Sequence, residues 1–166
     1  MKLRRLEEKD APLMLEWMHD EAVVRDMRTD FARKTLEDCI SFIRASADTA
    51  KHLHLAIADD NDEYMGTVSL KNIADGAAEF GITVRRCAMG RGFSFFGMRR
   101  VLAMGFEELG LERIYWCVSR NNTRACRFYD KHGFPEETES SPEILARYRE
   151  TKDLKWYSVR REAFSA

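Results

Sequence analysis

The sequence has little net charge and no long apolar run. Its 27 Lys and Arg residues nearly balance its 28 Asp and Glu residues, which gives a formal net charge of −1. A balanced charge creates no overall field that would attract nucleic acid or an anionic membrane. The apolar runs are far shorter than the ~20 residues that span a bilayer, and the charged start, MKLRRLEEKD, has no signal-peptide core. We therefore expect a cytoplasmic protein that binds neither nucleic acid nor membrane.

Cysteine and proline are also sparse. The four cysteines stand at wide, irregular spacings without a CxxC pair, which favours neither a disulfide scaffold nor a zinc site. Only three prolines and nine glycines occur in 166 residues, whereas 45% of the residues are hydrophobic. This composition excludes collagen-like and low-complexity chains and is typical of a globular protein. The length predicts one domain, residues 1–166.

Strand-like and helical periodicities divide the chain into elements. Helices are expected to begin after Asp10, Thr35, Gly92 and Asn122, each at a capping residue or turn. Strands are expected at 2–6, 53–58, 64–70, 77–84, 114–118, 134–138 and 156–160. This order predicts a mixed α+β fold, in which helices cover the faces of one sheet.

A glycine-rich turn between a predicted strand and the longest predicted helix is the first candidate site. Gly90 and Gly92 let backbone N–H groups approach a ligand without a Cβ, and the start of the next helix favours an anion. Arg85, Arg86 and Arg91 add positive charge that suits a pyrophosphate. The turn lacks the Rossmann and P-loop fingerprints, so a simple tight turn is the alternative.

The second candidate site is the helix that Asn122 caps. Tyr129 lies seven positions after Asn122, two turns along nearly the same helix face, so both residues can contact one elongated ligand. The alternative is a capped helix with a tyrosine packed in the core, which is the commoner role of an aromatic residue at helical spacing.

Together these segments resemble the GNAT superfamily of acetyl-CoA-dependent N-acetyltransferases. The resemblance covers residues 53–134 and rests on AEFGITV, AMGRG, IYWCV and NNTRACRFYDKHGF. It implies a central, mixed, mostly antiparallel sheet of about seven strands flanked by about four helices. It also implies acetyl-CoA as co-substrate without a metal, and direct transfer of the acetyl group to a primary amine in a ternary complex.

The resemblance further implies which residues hold coenzyme A. Backbone groups of residues 82–84 would pair with the pantetheine arm, residues 89–94 would hold the pyrophosphate, and the start of the capped helix would face the pantetheine. Tyr129 corresponds to the family's general acid, which protonates the departing thiolate. The full set is Ile82, Thr83, Val84, Met89, Gly90, Arg91, Gly92, Phe93, Ser94, Asn122, Phe128 and Tyr129.

The attacking amine must lose a proton, which requires a base. Glu79, on the strand beside the cofactor, is the candidate base, acting through water; a solvated carboxylate on the opposite face is the alternative. Cys117 or Cys126 offers a rival, ping-pong route, although neither has an obvious histidine partner in the sequence. His52 and His54 share a strand face where they could bind a metal, but no acidic or cysteine cluster accompanies them.

The acceptor side is expected at the first two helices and their connection, and at the C-terminal strands. The segments 15–20, 27–30, 69–73 and 78–81 resemble GNAT enzymes that acetylate nucleotide-linked amino sugars. An amino-sugar nucleotide is therefore the favoured acceptor, with Trp17, Met27, Thr29 and Phe31 as pocket residues. A protein N-terminus, as in the ribosomal-protein N-terminal acetyltransferases, and a small polyamine-like amine are alternatives. A non-catalytic acetyl-CoA-binding regulatory module is the alternative from another class, and Asn122 and Tyr129 argue against it. The oligomeric state stays open.

Overall fold

A computed structural model describes residues 1–165 and contains one sheet in the order β1-β2-β3-β4-β5-β6. All neighbouring strands are antiparallel except β4 and β5, which are parallel. The expected α+β class with a mixed, mostly antiparallel sheet is therefore confirmed. The strands are β1 Lys2–Arg5, β2 Leu53–Ala58, β3 Tyr64–Ala74, β4 Ala77–Val84, β5 Arg113–Ser119 and β6 Leu154–Arg160.

The helices begin close to the capping signals of the sequence. The Thr35 Oγ1 atom accepts a hydrogen bond from the Asp38 N–H at 3.2 Å, and the Asp38 carboxylate accepts from the Thr35 N–H at 2.8 Å. This reciprocal pair satisfies two N–H groups at the start of α3. In the described chain the helices are α1 Ala11–Met18, α2 Glu21–Val24, α3 Leu36–Ala45, α4 Phe93–Ala103, α5 Thr123–Lys131 and α6 Pro142–Leu145, with a π turn, Met104–Glu108, extending α4.

Strand alternation divides the core between the two faces of the sheet. On one face, Val68, Leu70 and Phe80 pack with residues of α4 in the larger core cluster. On the other face, Ala56 and Tyr64 pack with residues of α1 and α3. The side chains of β4 therefore alternate between the α4 face and the α1 face, which decides where each candidate residue of this strand points.

The expected strand at 134–138 does not form, and the described sheet has six strands. This segment makes one isolated bridge, between Glu136 and Tyr157 of β6. Gly133 has a φ of 78° at the end of α5, and Pro135 has no N–H with which to extend a ladder. The segment therefore crosses beside β6 without pairing along it.

Strands β4 and β5 separate soon after they pair. Their register covers only Ala77–Glu79 against Arg113–Tyr115. Beyond it, β4 continues to Val84 and remains paired with β3 on its other edge. An edge without a partner strand presents free N–H and C=O groups. The divergence therefore opens a wedge between the end of β4, the start of α4 and helix α5.

Candidate active site

The wedge contains a cavity of about 470 Å³, called here the wedge cavity. Its walls come from the end of β4, the glycine turn before α4, one face of α5, and the α2 region. The lining residues are Val23, Met27, Ile82, Thr83, Val84, Met89, Gly90, Gly92, Ser94, Phe95, Asn122, Arg124, Ala125, Phe128, Tyr129, Lys131 and His132.

The glycine turn forms the end of the wedge cavity that suits an anion. Gly90 and Gly92 have φ values of 72° and 86°, a backbone conformation that side chains with a Cβ rarely adopt. A Cβ at Gly90 would project into open space, with no heavy atom within 4 Å. Helix α4 begins directly after Gly92, and the first N–H groups of a helix have no partner within it. The turn thus has the room and the donors that a pyrophosphate requires.

Cationic side chains of α5 add to this anion site. Arg124 and Lys131 both line the wedge cavity. The Arg124 guanidinium is held in place by a hydrogen bond to the Ala22 carbonyl oxygen at 3.2 Å. Neither residue was expected from the sequence, because a basic residue on a helix surface usually faces solvent without further function.

Helix α5 supplies the polar and aromatic wall. The Asn122 Oδ1 atom accepts a hydrogen bond from the Ala125 N–H at 3.1 Å, which confirms that this asparagine caps α5. Its Nδ2 donor is not used by the cap. Phe128 and Tyr129 follow on the same wall, and their rings meet edge to face at 5.3 Å.

Tyr129 lies deep in the wedge, with only 5% of its surface exposed. Its ring packs among the aromatic rings of Phe80, Trp116 and Tyr157. No hydrogen bond to another described residue occupies its hydroxyl. Burial raises the pKa of this phenol, so it holds its proton at neutral pH and can only donate it. The ring is fixed while the hydroxyl stays available.

A second cavity, of about 350 Å³, lies on the α1 face and is called here the aromatic cavity. Trp17 and Phe31 meet edge to face with centroids 5.1 Å apart, and the Trp17 indole N–H donates to the Tyr64 hydroxyl at 3.0 Å. The lining residues are Met14, Trp17, Met18, Thr29, Phe31, Lys34, Asp38, Phe42, His54, Thr67, Ser69, Lys71, Gly81, Ile82 and Thr83.

The two cavities share a wall at the end of β4. Ile82 and Thr83 line both of them. One ligand in each cavity would therefore approach the other across this strand end. Such an arrangement suits a transfer reaction, because holding two reactants side by side removes much of the entropic barrier to their encounter.

Glu79 is buried on the α1 face and lines neither cavity. It is 7% exposed, so the alternative of a solvated carboxylate is wrong. The Tyr148 hydroxyl donates to its Oε1 atom, and the Asn72 amide donates to Oε2 at 3.0 Å. The Lys71 ammonium lies 3.5 Å from Oε1 and is itself part of the aromatic cavity wall. Lys71 thus connects the Glu79 carboxylate to the wall of the aromatic cavity.

The structure brings most of the expected coenzyme A residues to the wedge cavity; Arg91 and Phe93 are the exceptions. Phe93 is 3% exposed and packs in the larger core cluster. The Arg91 guanidinium donates to the Cys87 carbonyl oxygen at 3.2 Å and lies over the Phe93 ring. The Arg91 N–H donates to the Ala88 carbonyl oxygen at 3.3 Å, so of these two residues only the Phe93 N–H, at the start of α4, remains suited to an anion.

Three of the four expected acceptor residues, Trp17, Thr29 and Phe31, line the aromatic cavity, whereas Met27 lines the wedge cavity. Ser69 and Lys71, which also line the aromatic cavity, belong to the segment 69–73 that carried the acceptor resemblance, whereas Lys34, Asp38 and Thr67 were not expected there. Strand alternation, which puts Thr67, Ser69 and Lys71 on one face of β3, could have indicated Thr67 as well.

Neither rival chemistry gains support from the geometry. Burial raises the pKa of Cys117 to about 11, so this thiol is protonated at neutral pH, and neither Cys117 nor Cys126 lines the two cavities. The His52 Nδ1 atom accepts from the Asn72 N–H, and His54 Nδ1 lies 2.6 Å from Ser69 Oγ. Within residues 1–165 no group of three His, Cys, Asp or Glu side chains could hold a metal, and no helix is long and apolar enough to cross a membrane.

A family model described as the acetyltransferase (GNAT) domain matches residues 1–135. The chain belongs to this family. It is 27% identical, over 82% of its length and 80% of the relative's, to the uncharacterized N-acetyltransferase p20 of Bacillus licheniformis. It is also 31% identical to the spermidine N(1)-acetyltransferase of Vibrio cholerae, over 63% of this chain and 66% of that one.

A solved structure of the Vibrio cholerae spermidine N-acetyltransferase, in complex with CoA and spermine, shares the fold. It superposes with a TM-score of 0.80 at 21% identity and covers 98% of this chain and 96% of that one. The GNAT acetyltransferase therefore uses acetyl-CoA as co-substrate and transfers its acetyl group to an amine. The relatives are enzymes, which favours catalysis over a regulatory binding module.

Proposed function

We propose that the enzyme transfers the acetyl group directly to a small primary amine that binds in the aromatic cavity, while acetyl-CoA occupies the wedge cavity. The shared wall at Ile82 and Thr83 carries this proposal, because it lets both ligands bind at once and meet. Bound acetyl-CoA supplies an activated thioester carbonyl. The protein then has three tasks: to hold the coenzyme, to orient the amine, and to move two protons.

The chain's own groups suit the first task. The free edge of β4 at residues 82–84 offers backbone N–H and C=O groups to the amide-bearing pantetheine arm, in the manner of an added strand. The glycine turn, the start of α4 and the cationic groups of Arg124 and Lys131 hold the phosphates. Asn122 Nδ2 is a further donor toward the arm.

For proton transfer we assign Tyr129 as general acid and Glu79 as base. The Tyr129 hydroxyl is protonated, unoccupied and exposed to the wedge cavity, so it can protonate the departing thiolate. Glu79 is buried behind Lys71, so it receives the amine proton through water or neighbouring polar groups rather than by direct contact.

The charges around the aromatic cavity bear on the identity of the acceptor. Two ammonium groups, Lys34 and Lys71, line it against one carboxylate, Asp38, which Thr35 already engages. Spermidine carries about three positive charges at neutral pH, because alkylamines have pKa values near 10. An amine whose body is neutral or anionic fits this lining better. An amino-sugar nucleotide, whose phosphates could contact Lys34 and whose ring could pack on the aromatic side chains, is the acceptor that we favour.

A polyamine is the second candidate. The similarity to the spermidine N(1)-acetyltransferase of Vibrio cholerae carries it, since that relative is 31% identical over 114 residues. The GNAT fold is compatible with both acceptors, so the lining of the cavity and a direct assay must decide between them.

The assay is release of free thiol from acetyl-CoA with a panel of amines: a 4-amino-4,6-dideoxy sugar nucleotide, spermidine, and N-terminal peptides. We expect the highest kcat/KM with the sugar nucleotide. Turnover with spermidine alone would favour a polyamine as the acceptor. Turnover with peptides alone would favour a protein N-terminus. Binding of acetyl-CoA without turnover of any amine would contradict the proposed acetyl transfer to a small amine.

The role of Tyr129 is tested by Tyr129→Phe. This change removes only the hydroxyl, so we expect kcat to fall by about 10²-fold or more while the Kd for coenzyme A, measured calorimetrically, stays within about twofold. Tyr157→Phe is the matched control. Its hydroxyl donates to Asp130 outside the wedge cavity, although its ring packs in the same cluster. Equal losses of kcat in the two variants would argue against a general acid at residue 129.

A further inference from the structure

Glu79 is held by a segment far away in the sequence. Tyr148 and Arg147 lie between α6 and β6, and both approach the Glu79 carboxylate. The Tyr148 hydroxyl donates to Oε1, and the Arg147 guanidinium lies 4.0 Å from Oε2. The coenzyme site does not use this segment. Its contact with Glu79 was not predictable from local sequence signals, because Tyr148 is 69 residues from Glu79.

Two contacts hold the Tyr148 ring, in addition to the hydrogen bond of its hydroxyl. The ring meets Trp156 of β6 edge to face at 5.3 Å, and the Arg28 guanidinium lies over the ring, 5.7 Å from its centroid. Arg28 also donates to the Glu150 carbonyl oxygen at 3.0 Å. Arg28 stands next to Thr29, which lines the aromatic cavity. A chain of contacts thus runs from the acceptor side to the buried carboxylate.

The phenol can act only as a donor to this carboxylate. Burial, and then the hydrogen bond to Glu79, raise the pKa of Tyr148, so it keeps its proton at neutral pH. A hydrogen bond from a neutral donor to a charged acceptor favours the charged form and restricts its rotamer.

We propose that Tyr148 is a positioning residue that fixes the Glu79 carboxylate toward the acceptor side of the site. The proposal rests on the function of Glu79 as the base. Tyr148 itself touches neither cavity. It acts through Glu79, and Arg28 holds its ring against Trp156.

Other charged and titratable groups face the same carboxylate. Lys71 comes from β3, Arg147 from the segment before β6, and Tyr115 and Cys117 from β5. All of them remain when the Tyr148 hydroxyl alone is removed. Lys71 and Arg147 contact the Glu79 carboxylate with or without the Tyr148 hydroxyl, so the change expected from losing one donor is limited in size.

The test is the pH profile of kcat/KM for the acceptor in Tyr148→Phe. A carboxylate that loses a donor binds a proton more readily, so the acid limb of the profile should move to higher pH by about one unit, which corresponds to one charge-assisted hydrogen bond. The KM for acetyl-CoA should stay unchanged. An acid limb that does not move would overturn the proposal, as would an equal shift in the control Tyr157→Phe.

Two further variants separate the possible failures. Arg28→Gln keeps the Tyr148 side chain but removes the guanidinium that lies over its ring. Arg28 is exposed, so folding is preserved. The variant should move the acid limb in the same direction by a smaller amount; an unmoved limb would count against the proposal. In Glu79→Gln the acid limb should disappear. If Glu79→Gln keeps full activity and the acid limb, the assignment of Glu79 as the base fails. If Glu79→Gln loses the acid limb but Tyr148→Phe leaves it unmoved, only the positioning role of Tyr148 is refuted.

Discussion

At the scale of single residues, Gly90 and Gly133 have nearly the same backbone conformation in different surroundings. Their φ values are 72° and 78°, and a Cβ at either position would meet no heavy atom within 4 Å. The conformational cost of a side chain is therefore similar, about 1–2 kcal/mol for a left-handed residue. Only Gly90 lines the wedge cavity.

This pair allows a test of the anion site. Gly90→Ala and Gly133→Ala should lower the free energy of unfolding by similar amounts, about 1 kcal/mol. Only Gly90→Ala should weaken coenzyme A binding, by about tenfold, because its methyl group enters the space that the pyrophosphate needs. Urea unfolding and calorimetric titration measure the two effects. Equal affinities in the two variants would place the phosphates elsewhere.

The glycine turn could be predicted because its signals are local, whereas the role of Tyr129 was implied only by the family resemblance. Positive φ, the end of a strand and the start of a helix all fall within a few residues of Gly90 and Gly92. These local signals could not predict that the Phe93 side chain points into the core while that of Arg91 stays exposed. This difference depends on the core that Phe93 joins, which contains residues of β2, β3 and β5.

At the scale of elements, the cap of α5 combines stability and binding in one side chain. Asn122 Oδ1 accepts from the Ala125 N–H, while the residue also lines the wedge cavity. Asn122→Ala should lower the free energy of unfolding by about 1 kcal/mol, the usual value of an N-cap. Asn122→Ser keeps a capping oxygen and should restore this stability.

The same two variants distinguish the role of the Asn122 amide in coenzyme binding from its role as the helix cap. If Asn122 Nδ2 contacts the pantetheine arm, both should raise the KM for acetyl-CoA by several-fold, since neither has the amide donor. Thermal unfolding and initial-rate kinetics provide the two readouts. A normal KM in the stable Asn122→Ser variant would show that the asparagine serves the helix alone.

Most elements were predictable because their periodicity and caps are local, as in α3 with its Thr35 and Asp38 pair. The failure at 134–138 has a local cause as well, since Pro135 stands in the segment and removes a ladder donor. The early divergence of β4 from β5 was indicated by the family resemblance and by Gly81, because a glycine within a strand is typical of a bulge or a close backbone approach. The parallel pairing stops at Glu79, two residues before this glycine.

At the scale of the whole molecule, the acceptor side is assembled from distant parts of the chain. Lys34, Phe42, His54 and Lys71 reach the aromatic cavity from the α2–α3 connection, α3, β2 and β3. Nothing in the spacing of these residues predicts their meeting. The contact of Tyr148 with Glu79 is of the same kind, because it depends on how the C-terminal segment returns across β5.

An ion pair anchors this returning segment. Arg113 of β5 donates to the Glu139 carboxylate at 2.6 Å, and the N–H groups of Ser140 and Ser141 donate to its other oxygen. Burial opposes the charge of Glu139, but these three donors outweigh it and lower its pKa. A carboxylate with a lowered folded-state pKa stabilises the fold above its unfolded-state pKa, near 4.3, and this stabilisation is lost as the pH falls through the folded-state value.

Glu139→Gln should therefore lower the free energy of unfolding at pH 7 by about 1.5–3 kcal/mol, the range for hydrogen bonds to a charged group. The difference from the parent chain should shrink below about pH 4, where the parent's carboxylate becomes protonated too. Urea unfolding at several pH values measures both. Glu143→Gln, an exposed change in the same segment, should have little effect at pH 7. A deficit in Glu139→Gln that is equally large at pH 3 and pH 7 would mean that shape, and not charge, anchors the segment that carries Tyr148.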